Sequence, residues 1–149
     1  MGRQSGFDIQ KRLDDGSYTD PIEIAYFQNF GRLADFIRGL GLPFDVERDR
    51  TLITREALVE LLNELEPIIN VIKHFSREQI RYYDNVGLPN DLSKVEVAAL
   101  NYGAFSIYDS ATFAVLRKTL NLFYVVKTLL NAVEIGAYNE VQVLFYDSY

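Results

Sequence analysis

The apolar positions of this chain fall into runs at helical spacing, separated by glycine, proline and charged residues. Tyr26, Phe30, Leu33, Ile37 and Leu40 recur every third or fourth residue and share one helix face. Asp20-Pro21 ahead of them supplies a cap and a proline for the first helical position. Gly39, Gly41 and Pro43 stop the run. Phe44 to Arg50 reads as a charged connector. Thr54 then caps a second helix with Leu58, Leu61, Leu65, Ile68 and Ile72 on one face. Pro67 lies inside that pattern, so the helix either kinks there or breaks at Glu66 and restarts.

Two capping boxes follow. Ser76-Arg77-Glu78-Gln79 opens a short helix to about Val86, and Ser93-Lys94-Val95-Glu96 opens another to about Tyr108. Asp109 or Ser110 caps the longest helix, whose face is Phe113, Leu116, Leu120, Phe123, Val126, Leu130 and Val133. Gly136 ends it. The two ends of the chain differ from the middle. Residues 1–19 are polar and glycine-containing and read as an arm. Val141, Val143 and Phe145 alternate with Gln142, Leu144 and Tyr146, which favours an extended segment. The pattern therefore predicts an all-α fold: a bundle of about five helices around a long helix at 110–135. The bundle spans 20–138, between a polar arm at 1–19 and an extended, β-prone arm at 139–149.

Composition narrows the function. The chain has 149 residues, enough for one domain with a substantial core. It has no cysteine, which excludes disulfides and thiolate sites, and a single histidine, His74, which excludes a multi-histidine metal site within one chain. Net charge is −6, which disfavours binding along a phosphate backbone. There is no apolar leader in the first twenty residues, and the longest uncharged apolar run near the centre of 111–137 is far short of the ~20 residues a membrane span needs. The expected location is the cytoplasm, or a particle assembled there.

Charge is distributed unevenly. Residues 1–85 hold 11 basic and 15 acidic groups, whereas residues 86–149 hold only 4 and 6. The second part is rich in tyrosine and phenylalanine. Such a surface either fills the centre of a bundle or faces another subunit, since interface cores are enriched in aromatics and depleted of charge. The function expected first is therefore a non-catalytic interaction or assembly protein. It would be a subunit of a homo- or hetero-oligomer with ordered termini, of the kind found in virions and other multi-subunit structures. Tyr124, Tyr138, Val141, Val143, Phe145, Tyr146 and Tyr149 are its candidate partner-contacting residues. The 141–146 strand would add to a neighbour's sheet. Partners would be proteins; no cofactor, metal, nucleic acid or membrane is expected.

Motifs for chemistry are sparse. Glu56, Glu60 and Glu64 share a helix face but lack the Glu-x-x-His pairing of a di-iron site, and read as a solvated stripe. Asp45, Glu47 and Asp49 lack the glycine and terminal glutamate of a calcium loop. No phosphate loop, dinucleotide fingerprint or nucleophile elbow occurs. His74 is the one residue an enzyme reading would use, although its neighbours supply no orienting acceptor.

The segment Ser76–Leu88 resembles the Arg-Tyr-Tyr…Gly-Leu stretch in the helix-turn-helix of MerR-type DNA-binding regulators. The resemblance covers 13 of 149 residues. It implies phosphate contacts from Arg81, Tyr82 and Tyr83, and the alternative function it carries is a DNA-binding regulator using Arg77, Arg81 and Tyr82. Asn70 and His74 stand where that family's first helix has alanine and a turn glycine. Pro89-Asn90-Asp91-Leu92 stands in place of the arginine-rich wing. Read as an amphipathic helix, the same segment buries Ile80 and Tyr83 and leaves Arg77 and Arg81 to pair with Glu78 or Asp84.

Overall fold

The computed structural model describes residues 3–108, 114–135 and 140–148. In chain order its elements are β1 (Gln4–Lys11), β2 (Ile22–Gln28), α1 (Gly31–Gly39), β3 (Phe44–Asp45), β4 (Arg50–Ile53), α2 (Arg55–Ile72), α3 (Arg77–Val86), α4 (Lys94–Leu100), α5 (Val115–Ile135) and β5 (Val141–Ser148). The all-α bundle is therefore overturned. Among the described residues, five antiparallel strands and five helices make a mixed α/β fold, 23% strand and 47% helix. The chain divides into two compact units: Met1–Glu60 with Val125–Tyr149, and Leu61–Tyr124.

Unit 1 holds the sheet, with strand order β2-β1-β5-β4-β3. β1 and β5 are its central pair, in register from Gln4 opposite Ser148 to Lys11 opposite Val141. The polar arm expected at the start of the chain is thus an inner strand. It escapes the alternation rule because polar Ser5, Asp8 and Gln10 are buried along with Phe7. The helix expected to begin at Pro21 begins ten residues later, because Ile22–Gln28 is a strand. Its Ile22, Ile24 and Tyr26 are residue types that favour strands, a bulge at Ile24 shifts its register with β1, and Asn29, at φ 57°, turns the chain before α1. The expected connector at 44–50 holds β3 and the start of β4, joined by a turn in which Asp45 accepts from the Arg48 backbone N–H at 3.2 Å. The alternating 141–148 segment is a strand, paired on both sides rather than free.

α1 lies on one face of the sheet. Leu33, Ala34 and Ile37 are its buried side, Phe27 and Phe30 meet with ring centroids 5.6 Å apart, and Arg3 grips Asp147 through two bonds of 2.8 Å. Arg38 on α1 reaches the same carboxylate at 3.2 Å. At the other end of the sheet Arg55 pairs with Glu134 at 2.8 Å.

Unit 2 is helical. α2 runs unbroken through Pro67, so the expected break at Glu66 is absent. Both capping boxes form as read, with Ser76 and Gln79, and Ser93 and Glu96, exchanging bonds. α4 stops at Leu100, not near Tyr108, because the chain turns at Gly103 (φ 73°). A Cβ there would collide with Glu64, whose carboxylate accepts the Ala104 N–H at 2.7 Å. Glu64 is therefore a structural acceptor rather than part of a solvated stripe. The expected cap residues Asp109 and Ser110, and Phe113, lie outside the described residues. α5 instead begins over Asp84, a fully buried carboxylate that accepts the N–H groups of Leu116 at 2.8 Å and Arg117 at 3.3 Å. With no acid in the first turn of α5, Asp84 supplies the negative charge that a helix N-terminus favours. The buried line of α5 is Leu116, Thr119, Leu122, Val126, Leu129 and Val133. Leu120, Phe123 and Leu130 of the expected face are only half-buried.

Candidate functional site

Residues directly opposite one another in a sheet share a face. On the face away from α1, the register aligns Tyr26, Gly6 and Tyr146 in one row and Glu23, Asp8, Leu144 and Leu52 in the next. Gly6 is required here. A Cβ on it would collide with the Ala25 carbonyl oxygen and with the ring of Tyr146. Without one, Tyr146 lies across β1 and donates its hydroxyl to Glu23 on β2 at 2.8 Å. Arg50 stacks on the same ring, 4.7 Å from its centre, and donates to Asp8 at 2.9 Å. This cluster of side chains, spanning the two rows, thus binds β2, β1, β5 and β4 together.

Burial, then the hydrogen bond to Glu23 and the negative charges of Glu23 and Asp8, push the Tyr146 phenol above the ordinary tyrosine range. The folded chain keeps this proton at a pH where an unfolded tyrosine, near ~10, releases it. Stability should therefore fall as pH rises past ~10. Tyr146→Phe should cost about 1 kcal/mol at neutral pH and flatten this alkaline slope. Urea midpoints for both chains between neutral and alkaline pH measure the difference. Parallel slopes in the two chains would show that Tyr146 does not carry it.

The sheet has two edges, β3 and β2. β3 is one edge. It is two residues long and runs into Glu47, Arg48 and Asp49, the short, charged form that resists pairing with other chains. β2 is the other edge. It is seven residues long and exposes Ile22 (62%), Ile24 (43%) and Tyr26 (47%). Its one charge, Glu23, is held by Tyr146. Its one irregularity is a bulge at Ile24, where the register with β1 shifts between Phe7 and Asp8; it has neither the shortness nor the run of charges that protects β3.

The residues expected to contact partners are placed as follows. Val143 and Phe145 are buried in unit 1, where β1 and β4 pair with the two sides of β5. Val141 and Tyr146 are half-buried in the same strand. Tyr124 is exposed on α5 in unit 2, in edge contact with Phe123. Tyr138 and Tyr149 lie outside the described residues. Of the alternative DNA contacts, Arg77 and Arg81 line a groove in unit 2, and Tyr82 is exposed beside Tyr83 rather than in that groove. His74 is exposed, and among the described residues no carboxylate hydrogen-bonds to it. Among the described residues no three His, Cys, Asp or Glu side chains converge as metal ligands, and no helix is long and apolar enough to cross a membrane.

Reading the sequence missed the β2 edge, because Tyr26 fits a helical stripe with Phe30. The Ile-x-Ile-x-Tyr alternation was the available signal. Set against protein-family models, curated proteins and solved structures, the chain matches none of them.

Proposed function

We propose that this is a non-catalytic interaction protein that assembles through the outer edge of β2. The reading rests on one observation, a seven-residue edge strand whose outer side pairs with no strand among the described residues and whose exposed large apolar side chains are Ile22, Ile24 and Tyr26. Unpaired N–H and C=O groups along such an edge bond a partner strand, and its exposed side chains set the register. The partner it fits most simply is a second copy. The bulge at Ile24 leaves Ala25–Gln28 as the regular stretch, and an antiparallel pair centred there keeps Glu23 of each copy outside it, so the two glutamates never face each other. β5, the strand first expected to augment a neighbour, pairs with β1 along its whole length and with β4 at Val143–Phe145, so it is an inner strand and offers no such edge.

Light scattering over a concentration series tests it. The wild-type chain should show a dimer mass that falls on dilution. Ile24→Lys should stay at monomer mass with an unchanged circular dichroism spectrum, because a lysine on an edge strand blocks pairing. A wild-type mass of one chain at every concentration would contradict the proposal.

A further inference from the structure

A groove of about 610 Å³ in unit 2 runs between α3 and α5, beside the end of α2. That volume is in the range of small-molecule sites. Its floor is apolar, from Ile80 and Leu120, and exposed Tyr124 stands at its margin. Its charge is one-sided. Residues 61–124 contain six lysines and arginines. Four of the six, Lys73, Arg77, Arg81 and Arg117, line this groove, and no acid among its described lining residues accompanies them.

The stability of the helices does not account for this. Arg77 sits in the first turn of α3 and Arg117 in the first turn of α5, where the helix dipole disfavours cations, and Arg81, a turn further along α3, gains nothing from it. Asp84, which lies three residues after Arg81 and could have neutralised it, is bonded to Arg117 instead. Lys73, Arg77 and Arg81 have no ion-pair partner among the described residues. In a chain of net charge −6, three unpaired cations gathered on one concave surface need a physical reason. A bound anion supplies one.

We infer that this groove binds a nucleotide: phosphate groups held by Arg77, Arg81, Lys73 and Arg117, and a planar base over the apolar floor against Tyr124. Arginine forks match phosphate oxygens in geometry, and an aromatic side chain gives a base a stacking surface. The volume suits one or a few nucleotides. The acidic remainder of the chain repels a long polyanion.

Fluorescence anisotropy of N-methylanthraniloyl-ADP, in low salt, tests the inference. The probe should bind saturably and be displaced by ADP, less well by pyrophosphate and least by adenosine. Arg81→Glu should weaken binding by about tenfold or more. Lys94→Glu, which makes the same change of net charge outside the groove, should leave binding within about twofold. A short oligothymidylate that competes better than ADP would support the same chemistry and assign a nucleic-acid strand as its source. No saturable binding at millimolar ADP, equal weakening by the two reversals, or stronger competition by polyglutamate than by ADP would each overturn it.

Discussion

Phe7→Ala is expected to cost about 3–5 kcal/mol, the usual penalty for emptying a fully buried aromatic site. Phe7 is on the inner strand β1 and has no exposed surface. It stands opposite Ala25 on β2 and Phe145 on β5, and its ring meets that of Phe145 with centroids 5.1 Å apart and a 55° tilt. Removing the ring takes away burial and the aromatic pair at the centre of unit 1. Against a total stability of about 5–15 kcal/mol, that loss leaves the sheet marginal. Urea unfolding followed by far-ultraviolet circular dichroism gives the value, and Phe7→Leu should recover more than half of it. An alanine variant within about 1 kcal/mol of wild type would mean that residues 4–11 are not an inner strand.

Arg50→Ala should have the second-largest effect, about 2–4 kcal/mol, through the charge it strands. The Asp8 side chain is 5% exposed and Arg50 is its partner at 2.9 Å. Arg50 itself keeps 28% of its side-chain surface in water, so the loss falls at the lower end of the range for breaking a buried pair. The same substitution removes the guanidinium stacked on Tyr146. If the stranded carboxylate is the cause, Asp8→Asn in the Arg50→Ala background should recover part of the stability, since a neutral amide is cheaper to bury. A double variant less stable than Arg50→Ala would point instead to lost packing on Tyr146. The comparison is a double-variant cycle read by urea denaturation.

How much of this was legible in the sequence depended on whether the determining contacts were local. The capping boxes at Ser76 and Ser93 are closed within four residues, and both formed where they were read. The helical faces of α1 and α2 are likewise local patterns. β1 was hidden because its register buries Ser5, Asp8 and Gln10, and the partner that makes Asp8 tolerable there, Arg50, is 42 residues away. β2 was hidden by Asp20-Pro21, a sound helix start in isolation, and by the chance spacing of Tyr26 and Phe30. The cap of α5 could not be read, since Asp84 is 32 residues before the N–H it accepts. The groove in unit 2 was half legible. Arg77 and Arg81 stood out beside Tyr82, but only the fold brings Arg117 and Lys73 to them.

The central claim is that the outer edge of β2 pairs with another strand. Amide hydrogen exchange, read by peptide mass in dilute and in concentrated protein, tests it most directly. Pairing at this edge predicts that protection over residues 22–28 rises with concentration. Protection over 4–9 and 143–145, which already have strand partners on both sides, should stay constant. Exchange over 22–28 that is the same at every concentration would contradict the claim.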